Sequence, residues 1–213
     1  MDKFRNKYRI KSYRMPQWDY SGNGMYFITL VTQNRECNLG EIVNGEMILS
    51  AFGKIVNDEW LKSFEIRNEL FFDEYIIMPN HVHAIVILDK NGIEKNEMNG
   101  SHGSHVETHG RASLQSPQSQ IELYKKPFVR KPKSISSFMA GFKSAVNSKI
   151  DDYIDECNLD MQKYNRNNHF FQSNYHDHII RNNAEYERIK KYIINNPLKW
   201  GADKFNPDKT DKE

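Results

Sequence analysis

The sequence predicts an α+β fold in which helices pack on one face of an antiparallel sheet. Two observations predict it. Runs of β-branched and aromatic residues are interspersed with stretches whose apolar residues recur at helical spacing. These elements follow in the order β, β-hairpin, α, β, β, α, α. With 213 residues, of which 38% are hydrophobic, the chain is long enough to bury the core of one domain.

The first half of the chain gives the clearest elements. Residues 25–32, Met-Tyr-Phe-Ile-Thr-Leu-Val-Thr, are typical of a buried strand. Asn44-Gly45 between apolar pairs predicts a tight hairpin. Ser50 can cap a helix, whose apolar positions recur at helical spacing: Phe52, Ile55, Val56, Trp60 and Leu61. Residues 70–78 and 82–88 then predict two antiparallel strands, with Pro79 at their junction.

The second half predicts three helices. The first follows Ser134, and its apolar face comprises Ile135, Phe138, Met139, Phe142, Ala145, Val146 and Ile150. The second covers residues 175–181. The third covers residues 184–195, with Tyr186, Ile189, Tyr192 and Ile193 as its periodic residues, and Pro197 stops it.

Composition suggests four regions: a basic arm at 1–24, a single domain at 25–200, a polar insertion at about 89–130 within it, and a charged tail at 201–213. The three histidines of the insertion lack an apolar scaffold and are interpreted as loop residues. No apolar run approaches the roughly 20 residues that span a bilayer, and the charged N-terminus lacks a secretory signal, so a cytoplasmic protein with no membrane partner is expected. Two distant cysteines support neither a disulfide framework nor a cysteine zinc site.

His81 and His83 form the sharpest candidate site. Side chains alternate along a strand, so two histidines separated by one residue lie on the same face. Two imidazoles so placed can share a metal ion. Taken alone, the spacing also fits two half-exposed histidines on a solvated sheet face.

Tyr175 is the candidate nucleophile. On the helix predicted for residues 175–181, Tyr175 and His178 lie three positions apart and share a face. That arrangement would place a phenol beside a third metal ligand. His176 lies within the same turn and is an alternative ligand, and a tyrosine here is by itself more typical of a surface or an interface.

Several motifs, in this order along the chain, resemble the HUH-type single-tyrosine transposases, most closely their REP-associated branch. The main ones are Met-Pro-Asn-His-Val-His at 78–83, Gly-Phe-Lys-Ser at 141–144, and Phe-Gln-Ser-Asn-Tyr-His-Asp-His-Ile-Ile-Arg-Asn at 171–182. Shorter similarities lie at 8–11, 20–21, 26–29, 32–37 and 194–197. The resemblance covers about residues 8–90 and 130–200.

The resemblance implies a ferredoxin-like sheet, with His81 and His83 on a central strand and Tyr175 on a helix beside it. It also implies cleavage and rejoining of single-stranded DNA through a 5′-phosphotyrosine and a free 3′-OH. His81, His83 and His178 would hold Mg²⁺ or Mn²⁺, which polarises the scissile phosphate. The magnesium ion prefers oxygen ligands, whereas manganese accepts histidine more readily.

The expected partner is single-stranded DNA with a REP-like hairpin, bound by a monomer or a homodimer. The net charge is only +2, but basic residues cluster locally and can neutralise phosphates. The candidate DNA contacts are Arg5, Lys7, Arg9, Lys11, Arg14 and Lys143. Three alternatives remain open at this stage: a zinc-type hydrolase using His81 and His83, a non-catalytic hairpin-binding protein derived from a transposase, and a relaxase or replication initiator.

Overall fold

The computed structural model describes residues 18–91, 131–165 and 167–208, together with the backbone of two short strands, β1 (Lys3–Phe4) and β2 (Lys7–Tyr8), which pair antiparallel. Most of the predicted basic arm and polar insertion lies outside the described residues. The same holds for the side chains of five candidate DNA contacts: Arg5, Lys7, Arg9, Lys11 and Arg14. Within the described part, no helix is long and apolar enough to cross a membrane.

The centre of the fold is a four-stranded antiparallel sheet in the order β6-β7-β3-β8. Its strands are β3 (Gly24–Val31), β6 (Leu70–Met78), β7 (His81–Leu88) and β8 (His176–Ile180). Helix α1 (Ala51–Glu65) connects β3 to β6, and helix α2 (Ile135–Glu156) lies between β7 and β8. Strand β7 is inserted between β3 and β6, which is the split βαβ arrangement of ferredoxin-like folds. The predicted α+β class with an antiparallel sheet is confirmed.

A two-stranded hairpin, β4 (Gly40–Val43) and β5 (Glu46–Leu49), precedes α1. Its turn residues Asn44 and Gly45 have φ angles of 53° and 83°, as a type I′ turn requires. Ser50 then caps α1, because its hydroxyl oxygen accepts a hydrogen bond from the backbone N–H of Gly53 at 3.0 Å. The hairpin and the cap follow the sequence prediction.

The main core lies between the sheet and the pair α1 and α2. Alternate residues of β3 and β7 point into it, and they are Tyr26, Ile28, Leu30, Val82, Ala84 and Val86. Trp60 of α1 stacks against Phe138 and Phe142 of α2, with ring centroids 5.6 and 5.3 Å apart. These two helices therefore share one face of the sheet, as predicted.

Helix α3 (Asn183–Ile194) packs on the opposite face, so the prediction that all helices share one face holds only for α1 and α2. Its residues Ile189 and Ile193, four positions apart, form a short apolar stripe. That stripe contacts Ile85 of β7 and Ile180 of β8 in a second, smaller cluster. This is the face to which the odd-numbered residues of β7 point, and those residues include His81 and His83.

The helix predicted for residues 175–181 is wrong, since residues 176–180 form strand β8. Asp177 and Ile179 face the main core, whereas Ile180 faces the second cluster. Asn182 caps α3 by accepting a hydrogen bond from the backbone N–H of Glu185 at 2.9 Å, so the helix begins only at Asn183. The three-residue spacing that suggested a helical face therefore has no structural meaning here.

Candidate active site

His81 and His83 lie on β7, an inner strand of the sheet, and both point to the face covered by α3. Their imidazole centroids are 4.5 Å apart. The exposed fractions are 0% and 1%, so the pair is buried rather than spread on a solvated face. Strand alternation accounts for the shared face, and the elements after β8 account for the burial.

The two ring nitrogens of His81 have different surroundings. Its Nδ1 lies 2.9 Å from Oδ1 of Asn80. Its Nε2 is buried and has no hydrogen-bond partner among the described residues. Burial and, to a smaller extent, the nearby Lys204 ammonium together lower the pKa of His81 to about 3, so the ring is neutral at physiological pH.

His83 is hydrogen-bonded at both nitrogens. Its Nδ1 lies 2.9 Å from Oγ1 of Thr29, and its Nε2 lies 3.1 Å from the hydroxyl oxygen of Tyr192. Burial holds the pKa of His83 well below its usual value, and the neighbouring His81 and the Lys204 ammonium act in the same direction.

Tyr192, near the end of α3, is the functional candidate that the sequence reasoning missed. Its side chain is 38% exposed, and its ring lies with its centroid 5.2 Å from that of His83. Burial raises the pKa of Tyr192, and the carboxylate of Asp203 raises it further. Its position in the periodic stripe of the last predicted helix was a usable signal, because that stripe had to face the sheet. The sequence did not reveal which face of the sheet the helix would cover.

Tyr175 is not brought together with the histidine pair. It packs against the main core on the face of α1 and α2. The ammonium of Lys143 lies 5.8 Å from its ring centroid, and the same group donates to the carbonyl oxygens of Gln172 and Ser173 at 2.6 and 3.1 Å. Tyr175 and Lys143 thus belong to a contact between α2 and the segment before β8.

The expected third ligand, His178, lies on the same face but pairs with another group. Its Nε2 is 2.7 Å from Oε1 of Glu185 at the start of α3. The alternative, His176, is exposed and lies opposite Thr29, which in turn lies opposite His83 on the neighbouring strand. Within the described ranges, no group of three or more His, Cys, Asp or Glu side chains is placed to hold a metal ion.

The segment after α3 covers the histidine pair. A 3-10 helix (Pro197–Ala202) leads to Phe205, whose ring centroid lies 4.7 Å from that of His81. The side-chain amide nitrogen of Asn80 donates to the carbonyl oxygen of Phe205 at 2.7 Å. The guanidinium of Arg35 donates to the backbone carbonyl oxygen of Lys204 at 3.2 Å. We refer to residues 203–208 as the cover segment.

Of the nitrogen atoms in the histidine pair, one is placed to bind a divalent metal without any rearrangement of its hydrogen bonds. The orphaned, buried Nε2 of His81 is a neutral imidazole nitrogen, which is a common ligand for first-row transition metals. Nε2 of His83 is hydrogen-bonded to Tyr192 at 3.1 Å, and it would be the second ligand of such a metal only with that bond open. Two protein ligands leave positions for phosphate oxygens, and they are fewer than the three found in catalytic zinc sites.

Comparison with known proteins gives distant similarities. No family model matches the chain. An uncharacterized protein of Haemophilus influenzae is 29% identical over 201 residues, which is 93% of each chain. A REP-associated tyrosine transposase bound to a REP hairpin is 18% identical, with a TM-score of 0.49 over 92% of this chain and 77% of its own. A candidate transposase of Deinococcus radiodurans is 13% identical, with a TM-score of 0.36 over 87% and 97%.

Proposed function

We propose that the protein is a metal-dependent endonuclease and strand-transferase for single-stranded DNA, of the transposase type, in which Tyr192 is the nucleophile. The observation that carries the proposal is the 3.1 Å contact between the Tyr192 hydroxyl and Nε2 of His83. It joins a phenol on a helix to a buried histidine pair on a central strand. The resemblance to single-tyrosine transposases implies a tyrosine on a helix beside the two histidines, although the sequence analysis assigned that role to Tyr175.

The choice of Tyr192 over Tyr175 follows from which face each side chain occupies. A nucleophile must reach an atom held by the metal, so its oxygen must lie on the side of the sheet that carries His81 and His83. Tyr192 meets this condition, whereas Tyr175 is partly buried and packs against the main core on the other side.

The metal would be held by Nε2 of His81 and Nε2 of His83. A divalent cation there would polarise the scissile phosphate and stabilise the charge that develops on its oxygens. Manganese suits two imidazoles and open oxygen positions, and magnesium is the alternative. The rival zinc hydrolase has less support, since the described residues offer two clustered ligands rather than three.

The reaction balances with the residues at hand. The Tyr192 oxygen attacks phosphorus, a new O–P bond forms, and the bond from phosphorus to the 3′ oxygen breaks. The phenolic proton leaves to solvent, and the departing 3′ oxygen takes up one proton from solvent to become a 3′-OH. The DNA is left joined to the enzyme through a 5′-phosphotyrosine, and attack by a 3′-OH reverses the step.

Substrate access requires the cover segment to move. Phe205 lies against His81, and Arg35 stacks over the Phe205 ring at 5.5 Å from its centroid. When the segment leaves, the guanidinium of Arg35 becomes available for phosphate groups at the rim of the site. Single strands are commonly held by such cations together with aromatic rings, and Trp200, whose ring centroid lies 6.1 Å from that of His81, supplies one here.

The test compares two variants that each remove one hydroxyl group, Tyr192→Phe and Tyr175→Phe. Wild type and variants are incubated with labelled single-stranded hairpin oligonucleotides and Mn²⁺ or Mg²⁺, and the products are separated on a denaturing gel. The wild type should give a covalent protein–DNA band that requires metal. Tyr192→Phe should abolish the band, and Tyr175→Phe should retain it.

The opposite pattern would return the nucleophile to Tyr175 and overturn the geometric assignment. Cleavage by both variants without a covalent band would identify water as the nucleophile and favour the hydrolase. If the wild type binds hairpins and cuts none across the library, the protein is a non-catalytic hairpin-binding protein.

A further inference from the structure

We propose that Asn80 is a positioning residue that holds His81 in a single neutral tautomer, with the proton on Nδ1 and the lone pair on Nε2. The consequence rests on the proposed function, because the lone pair matters there as a metal ligand. The observation behind it is one buried amide that makes three hydrogen bonds, two through its nitrogen and one through its oxygen.

The orientation of the Asn80 amide is fixed by its neighbours. The side chain is fully buried, and its nitrogen lies 3.0 Å from the carbonyl oxygen of Arg35 and 2.7 Å from that of Phe205. A carbonyl oxygen only accepts hydrogen bonds, so the group that faces these two must be the NH₂. An amide turned by 180° would set its oxygen against two other oxygens in a buried place, which is costly.

The fixed amide in turn fixes the imidazole. Its oxygen lies 2.9 Å from Nδ1 of His81 and can only accept, so Nδ1 must carry the proton. A neutral imidazole has one N–H, and Nε2 is therefore left with its lone pair. This nitrogen is buried without a partner among the described residues, although buried polar atoms are normally paired. An unsatisfied acceptor aimed at the site is what a cation would satisfy.

No neighbouring group fixes the tautomer of His83 in this way. Its partners are the hydroxyl groups of Thr29 and Tyr192, and a hydroxyl can donate or accept. Both tautomers of His83 can therefore be accommodated, and its Nε2 can exchange a proton with Tyr192. The two histidines therefore have different roles: the tautomer of His81 is fixed for metal binding, and His83 can serve as a ligand or take part in proton transfer.

The tautomer can be read directly by long-range ¹H–¹⁵N correlation NMR on the metal-free, full-length protein. In the wild type, His81 should show a protonated Nδ1 and an unprotonated Nε2. Asn80→Ala removes the acceptor, so an Nε2–H signal should appear. Asn147→Ala is the matched control, because it also removes an amide side chain, but one that belongs to α2 on the far side of the sheet.

A wild-type spectrum with Nε2–H on His81 would overturn the proposal, as would an unchanged tautomer in Asn80→Ala. The wild-type spectrum needs no variant, so the tautomer is tested even where Asn80→Ala fails to fold. A calorimetric titration with Mn²⁺ alone gives the second readout, and Asn80→Ala should bind about 10- to 100-fold more weakly. If the tautomer is as expected but the wild type binds no Mn²⁺, the proposed function loses its metal while the role of Asn80 stands.

Discussion

Replacing Ile193 of α3 by alanine should destabilise the protein by about 3 kcal/mol, whereas replacing its neighbour Ile194 should change little. Ile193 is fully buried in the second cluster, and Ile194 is 52% exposed. The change at Ile193 removes three carbon atoms, each worth about 0.8 kcal/mol of burial, and the residual cavity raises the cost into a range of about 2–5 kcal/mol. At Ile194 the better helix propensity of alanine gives an effect within about 0.5 kcal/mol.

The measurement is urea unfolding followed by tryptophan fluorescence and circular dichroism, with the midpoint and slope fitted for each variant. The pair of variants tests whether α3 lies on the histidine face, which is the basis for choosing Tyr192. Equal losses at both positions, or a loss below about 1 kcal/mol at Ile193, would refute the packing of α3 described here. If Ile193→Ala only lowers the protection of the α3 backbone amides against hydrogen exchange, the helix detaches locally and the rest of the fold is unaffected.

Three further outcomes are expected. Gly53→Ala should lower the free energy of unfolding although Gly53 lies in a helix, because the added Cβ would lie 2.0 Å from the backbone oxygen of Leu39; thermal unfolding measures the loss. Asp73→Asn weakens the ion pair that links β6 to Lys190 of α3 at 3.0 Å, and should lower the free energy of unfolding in urea titrations at low salt and by less at high salt. The pKa of His81 is about 3 in the folded protein and about 6.5 in the unfolded chain, so the free energy of unfolding should fall as the pH drops from about 6.5 to 3. In His81→Gln, the slope of the unfolding free energy against pH should be smaller by about 1.4 kcal/mol per pH unit over this range.

Local chemistry explains why much of the fold could be predicted from the sequence. The Asn44-Gly45 turn and the Ser50 cap depend on neighbours a few residues away, and the structure has both. The shared face of His81 and His83 is likewise a property of any strand. Strand β8 was mistaken for a helix because its pairing with β3 joins residues about 150 positions apart, as in Thr29 with His176, and no local pattern reports that contact.

The site was only half predictable for the same reason. The hydrogen bond between Tyr192 and His83 spans 109 positions in sequence, and it depends on which face α3 covers. Apolar spacing shows that Ile189 and Ile193 face the sheet, but the same spacing would serve either face. The sequence therefore favoured Tyr175, and only the topology separates the two tyrosines, with Tyr175 on one side of the sheet and Tyr192 on the other.

The cover segment and the tautomer of His81 are linked through Asn80, and this link has a consequence for substrate entry. Departure of the cover segment removes Phe205 from the His81 ring and breaks one of the two donor contacts of the Asn80 amide. The other contact is to the carbonyl oxygen of Arg35 in the segment after β3, whose backbone is also held by the hydrogen bond from the Arg35 N–H to the carbonyl oxygen of Thr32 at 3.2 Å. On this proposal the amide would keep its orientation, and Nδ1 of His81 its proton, in both the covered and the uncovered site. Opening would therefore expose a ligand atom whose protonation is already set, so that cation binding at His81 needs no tautomer change.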